Sequence, residues 1–327
     1  MLPSPLNRRN AMVLAGASLL AARSACAQSE WPRGQPIRLI VPFTAGSGTD
    51  VIARLLGEKL GPALGTSVIV ENRAGAGGTV GAAFVAKAPA DGYTLLVHSA
   101  GHLANPAIYP NLSYDTIKDF SGVTPLASLP NVLVTAPGHF KDVRDLVEQA
   151  KSKPGQLNYG SAGNGSATHM NAEVFRVAAG IQAQHVPFKG TPEALTETMA
   201  GRIDWFFAPM VSALSLIQGG KLSPLAVGTA KRSDVLPQVP TTVEAGVPGS
   251  EYQFWVGLFA PAKTSPKIIE RLHDEAVKGM TSPDVKERLD KLGAEAFLMP
   301  SAAFDKFIVD ETAKSQQIIR AAGIKLN

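Results

Sequence analysis

PIRLIVPFTAGSGTDVIARLL, residues 36–56, reads as a buried strand over Ile37–Val41, a glycine turn over Thr44–Gly48 and an amphipathic helix. The strand is a short continuous apolar run, whereas Ile52, Leu55, Leu56 and Leu60 recur at offsets of 3, 4 and 8, the spacing of one helical face. Free N–H groups in a helix's first turn, together with the positive end of its dipole, hold an anion, and glycine lets that anion approach the backbone. A strand that runs through such a turn into a helix is the opening unit of an α/β domain, and here it carries an anion-binding device.

Upstream lies an export signal: Arg8 and Arg9, an apolar stretch from Ala11 to Ala22, and Ala25-Cys26-Ala27 before Gln28. The apolar stretch falls short of the roughly 20 residues that span a bilayer. Cleavage after Ala27 and delivery to the periplasm are expected, by the general secretory (Sec) route or, given Arg8-Arg9, by the twin-arginine route. Arg23 stands three residues before Cys26, where a lipoprotein signal carries an aliphatic residue, so no lipid anchor is expected. The signal contains three arginines and no acid, so its loss takes Lys+Arg from 31 to 28 against 27 Asp+Glu and the formal charge from +4 to +1. No basic stripe interleaved with aromatics marks a nucleic-acid binder. The sole cysteine leaves with the signal, and a mature chain of this length can bury a core without disulfides. With 45% hydrophobic residues and no later segment of spanning length, it reads as a soluble α/β protein of two lobes.

Strand and helix patterns alternate downstream. Strands are predicted at Ser67–Glu71 and Thr94–His98 with a helix at Thr79–Ala88 between them. A second set begins near Asn131, with strands at Val132–Thr135, Leu157–Gly160, Ala183–Val186, Ile203–Phe207 and Leu225–Gly228 and helices at Val143–Lys151, Thr168–Ala179 and Pro192–Ala200. The alternation predicts mostly parallel sheets flanked by helices. Thr124–Pro130 is predicted to cross between lobes, and the charged helical stretch after Tyr252–Pro261 to return to the first. The division is 1–27 signal, 28–127 first lobe, 128–253 second lobe, and 254–327 the return with closing C-terminal helices. Thr191-Pro192, Ser265-Pro266 and Ser282-Pro283 each place a hydroxyl at an expected N-cap and proline at the first helical position, and Gly201 and Gly293 read as helix stops.

The strand, glycine turn and helix unit occurs three times: TAGSGTD (Thr44–Asp50), NRAGAGGTVG (Asn72–Gly81) and GSAGNGSATHM (Gly160–Met170). Small ligands of open α/β sheets bind at this strand edge. Tight packing alone also uses such turns, but the first and third units, facing each other across a cleft, would grip the two ends of a small dianion. Enzyme motifs are poorly matched. GAGGTVG (Gly75–Gly81) has the spacing G-x-G-x-x-x-G and does not open the first βαβ unit, which argues against a dinucleotide fingerprint. A phosphate loop with its lysine and a G-x-S-x-G nucleophile elbow are both missing. His98 and His102 flank a glycine with no glutamate between them, so no metal site is read there. Lys189 either faces a carboxylate or is solvated, Asp204 either bonds a buried loop or contacts ligand, and Arg73 is expected to orient its loop through carbonyls or Glu71.

The ordered set PIRLIVPFTAGSGTD, VIVENRAGAGGTVGA, ADGYTL, LSYDTIKDF, KPGQLNYGSAGNGSATHMNAEVF, HVPFKGTPEAL, VPTTVEAGVPG and GLFAPAKTSP resembles the Bug/TctC family, the extracytoplasmic solute receptors of tripartite tricarboxylate transporters. The resemblance implies a two-lobed periplasmic-binding-protein-like fold and a deep interlobe cleft. Family members capture organic acids such as dicarboxylates, tricarboxylates, acidic amino acids and aromatic acids, through backbone amides, hydroxyl or amide side chains and bridging waters; they are not enzymes. It implies partners of two kinds, a small organic-acid ligand and membrane permease subunits, with a sensor protein as the alternative receiver; the competing class, resting on the Gly75–Gly81 loop and not on the resemblance, is an exported nucleotide-dependent oxidoreductase. A monomer without cofactor or metal is expected. Carried over by position, the ligand contacts are Thr44, Ala45, Gly46, Ser47 and Gly48 of the first unit and Gly78 and Thr79 of the second. The opposing lobe adds Asn131, Ser161, Ala162, Asn164, Gly165, Thr168 and His169, with Asp204 beside them. The chain departs from many relatives at Thr44-Ala45-Gly46-Ser47 and at the bulky Trp205-Phe206-Phe207, which leaves the identity of the acid open.

Overall fold

The computed structural model describes residues 31–324, so the export signal and its cleavage site lie outside the described residues. The first sheet has the order β11-β4-β10-β3-β1-β2. Its strands are β1 (Ile37–Val41), β2 (Val68–Asn72), β3 (Thr94–Ser99), β4 (Phe120–Ser128), β10 (Trp255–Pro261) and β11 (Glu295–Ala296). The second has the order β7-β6-β8-β5-β9, built from β5 (Asn131–Thr135), β6 (Asn158–Ser161), β7 (Gln184–Pro187), β8 (Trp205–Pro209) and β9 (Ser223–Val227). Helices flank both, and the two-lobed α/β class read from the sequence holds.

Pairing is mixed rather than mostly parallel. Strands that belong to strand–helix–strand units pair in parallel: β1 with β2 and β3, and β6 with β7 and β8. The strands that carry the chain between lobes run antiparallel, β10 against β3 and β4, and β5 against β8 and β9. A chain that leaves one lobe and later returns must enter the sheets in the opposite sense, a constraint invisible to local periodicity. Thr124–Ser128 lie within β4, so the outward crossing is confined to Leu129–Pro130 and is shorter than predicted. Outgoing and returning segments bond to each other through Leu129 N–H to Phe254 O at 2.8 Å, which makes the crossing a two-stranded hinge.

The opening unit folds as its pattern requires. Ile52, Leu55, Leu56 and Leu60 of the helix Gly48–Leu64 are buried against β1, β3 and the helix Pro266–Met280, and the strand's own Ile37, Leu39, Ile40 and Val41 are fully buried. Burial of one such side chain contributes about 1.5–3 kcal/mol, so this face fixes where the glycine turn points. Thr191 is the first residue of its helix (Thr191–Met199), and Gly190 is the N-cap. A β-carbon at Gly190 would collide with the Thr44 hydroxyl, so the capping position has room only for glycine. Ser265 and Ser282 do stand at N-caps, but neither side chain makes the cap bond; Ser282 Oγ donates to Gly279 O at 2.7 Å instead. The last helix, Ser301–Ala322, reaches the second lobe, where Arg176 Nη2 donates to Ala322 O at 2.8 Å.

Candidate functional site

Four helices start at one cavity between the lobes. Ser47, Gly48 and Thr49 belong to the first turn of Gly48–Leu64, and Ser166, Ala167 and Thr168 to that of Ala167–Ala179. Thr191 opens Thr191–Met199 and Pro209 caps Met210–Gln218. Phe43, Ser99, Ala162 and Phe254 complete the lining, and none of the lining residues is ionisable. Positive helix ends therefore supply the field, each contributing about 0.3–1 kcal/mol toward an anion and more where buried. As closed here the cavity holds about 10 Å³, room for about one water.

Each turn is held by hydrogen bonds, some behind the cavity and some between its own lining residues. Asp50 is buried and accepts from Gly46 N–H at 2.9 Å, from Arg54 and from Asn72. Burial raises its pKa, but the bonds from Arg54, Gly46 and Asn72 outweigh that and hold it below the usual carboxylate value. Ser47 makes no cap bond to its own helix; its Oγ accepts the Thr191 N–H of the other lobe at 3.1 Å. In the third turn Ser166 caps His169 N–H at 3.3 Å, and Thr168 Oγ1 accepts from Ala162 N–H at 2.9 Å.

Of the residues named from sequence, Ser47, Gly48, Ala162 and Thr168 line the cavity. Thr44, Ala45 and Gly46 are not among the lining residues; Thr44 Oγ1 donates to Glu193 Oε2 at 2.9 Å and Gly46 O accepts from Ser212 at 3.0 Å, both across the cleft. Gly78 and Thr79 sit in the second turn, which does not reach the cavity. That turn meets the third instead: a β-carbon on Gly77 would strike the Asn164 carbonyl, and one on Gly163 would lie 3.1 Å from Gly77 Cα. The Asn164 carbonyl also accepts from Tyr109 OH at 3.0 Å. Gly165 faces Asn105 and Ile108 of the first lobe rather than the cavity, while Ser161 and His169 bond behind the third turn. Asn131 is fully buried at the hinge, donating to Asn171 Oδ1 at 3.0 Å. Asp204 lies outside the cleft, accepting from Asn158 N–H at 2.6 Å and bonded to the His139 ring at 2.8 Å. Lys189 is exposed, and Arg73 bonds Glu71 at 2.6 Å.

The chain matches the family model described as "Tripartite tricarboxylate transporter family receptor" over residues 52–324. It belongs to that receptor family. Similar solved structures include a Rhodopseudomonas palustris protein with adipate, 35% identical with TM-score 0.87, covering 91% of this chain and 100% of that one. The periplasmic binding protein BugD is 31% identical with TM-score 0.85, covering 90% and 100%. MatC from Rhodopseudomonas palustris with bound malate is 32% identical with TM-score 0.84, covering 88% and 100%. Family and fold are those of solute-binding receptors, not of enzymes.

Several lining residues of this receptor were missed from sequence: Phe43, Thr49, Ser99, Ser166, Ala167, Thr191, Pro209 and Phe254. Thr191 carried a signal, its place before proline at a helix start. Pro209 was foreshadowed only by the end of an apolar strand, and Phe254 belongs to the returning segment, whose approach depends on the hinge.

Proposed function

We propose that this receptor captures a small carboxylate-bearing organic acid in the interlobe cleft in the periplasm and presents it, closed, to the membrane permease of a tripartite tricarboxylate-type transporter. The observation that carries the reading is the convergence of four helix starts on a cavity whose lining bears no charge. Such a site neutralises an anion with oriented N–H groups and hydroxyls rather than cations, so it takes carboxylates without demanding one fixed salt-bridge geometry. The binding of adipate and malate by the related proteins supports the ligand class. Phe43 and Phe254 add apolar walls suited to the carbon body of the acid. No helix among the described residues is long and apolar enough to cross a membrane, which fits delivery to a separate permease.

Mass spectrometry of small molecules released from gently purified mature protein tests the ligand class. A carboxylic acid is expected; a sugar or nucleotide in its place overturns the reading. Loss of uptake of that acid on deleting the receptor is expected if it feeds a transporter, and unchanged uptake would point to a sensor.

A further inference from the structure

Behind the third glycine turn, four rings stand in a column. Trp205 stacks on Tyr159 with centroids 4.7 Å apart, Tyr159 on His185 at 5.0 Å, and His185 on His169 at 3.9 Å with only 9° between planes. Trp205 and Tyr159 belong to the packed core of the second lobe, so the foot of the column is fixed. Its top touches the turn twice. His169 Nδ1 accepts from Gly165 N–H at 3.0 Å. His185 Nε2 lies 2.6 Å from Ser161 Oγ, which itself accepts from Gly163 N–H at 3.0 Å and so has its own O–H to give the ring.

We propose that His169 and His185 are positioning residues for anion capture: as acceptors at the top of this column, they hold the backbone of Ser161–Gly165 so that Ala162 and the helix start at Ser166–Thr168 face the cavity. The inference rests on the cleft being the carboxylate site and adds how one wall of it is held. Burial, and then the nearby Arg176, push the His169 pKa down to about 3. Burial, and then His169, push that of His185 to about 3 against the opposing pull of Glu173. The ionisable groups around the pair cancel: Arg176 grips Glu173 through bonds of 2.9 and 2.7 Å, and Tyr159 donates to the same carboxylate. Both rings thus stay neutral at pH 7 and keep a lone pair for the turn.

The test has two arms. In ¹⁵N-labelled mature protein at pH 7, the His169 ring is expected to be neutral with its proton on Nε2 and to show a coupling across the hydrogen bond from the Gly165 amide nitrogen to Nδ1. A proton on Nδ1, or a charged ring, overturns the proposal. In the second arm adipate is titrated calorimetrically into four variants checked for native circular dichroism. His169→Phe and His185→Phe keep a stacked ring but lose the acceptor and are expected to bind about tenfold more weakly, the equivalent of one hydrogen bond. His169→Asn and His185→Gln retain an acceptor near Nδ1 and Nε2 and are expected within about threefold of the parent, well under one hydrogen bond. Equal losses in all four, or none, contradict the proposal. If the parent binds no carboxylate, the cleft assignment falls, while the nuclear magnetic resonance arm still decides whether the rings brace the turn.

Discussion

Gly77 is a point of close backbone contact between the two lobes. Its φ of 60° lies in the left-handed region, and a β-carbon there would run into the Asn164 carbonyl of the opposite lobe. Alanine costs roughly 1–2 kcal/mol for the backbone alone, and the collision exists only when the lobes are shut. Gly77→Ala is therefore expected to leave an open receptor folded and to weaken acid binding by at least about tenfold, the effect of a 1.4 kcal/mol penalty on the closed state. Small-angle scattering at saturating adipate checks this: the variant should keep a larger radius of gyration than the parent, and equal compaction would show that the contact does not govern closure. The GAGGTVG run drew attention in the sequence as a binding loop, and what it does in the structure is meet another backbone. Glycine spacing alone cannot distinguish a turn that admits a ligand from one that admits a second turn, because both need the same missing β-carbon.

At the scale of elements, the helix starts carry the chemistry. Serine and glycine before an apolar periodic run marked the helices at Gly48 and Ala167, and the sequence placed both on the cleft. The starts at Thr191 and Met210 converge on the same point only because β7 and β8 flank β6 in one sheet, and strand order is not encoded in local pattern. Ser166→Ala removes the cap of the Ala167 helix and is expected to lower stability by about 1 kcal/mol, read as a shift in the urea midpoint at unchanged slope. Lys189→Gln should do far less to binding. The side chain is exposed, and a screened charge is worth no more than about 1 kcal/mol. Calorimetry showing complete loss of binding in Lys189→Gln would mean that a salt bridge, and not the helix ends, holds the acid.

For the molecule as a whole, pH stability follows from buried rings, and closure from hydrogen bonds between the lobes. Burial is the main force that drives His98, His169 and His185 down to about 3. A histidine whose folded pKa lies below its unfolded value gives full stability above the unfolded pKa near 6.5, and loses it as pH falls toward the folded value, because the unfolded chain binds the extra protons. Each ring then costs about 2 kcal/mol between pH 6.5 and pH 5. The melting temperature is expected to fall steadily from pH 6.5 to pH 4, and a flat profile would show that these rings are not held neutral. Closure itself is written in bonds between lobes, Thr44 to Glu193, Thr191 to Ser47, Ser212 to Gly46 and Tyr109 to Asn164, all drawn from the rims of the glycine turns. The central claim is that four helix ends meeting at an uncharged cavity make a carboxylate receptor. Thermal unfolding of the mature protein with adipate, malate, glucose and ATP, each at rising concentration, tests it most directly. The expected result is stabilisation by a carboxylate alone, about 2.7 kcal/mol at a hundredfold excess over its dissociation constant; stabilisation by glucose or ATP with no response to either acid would contradict it.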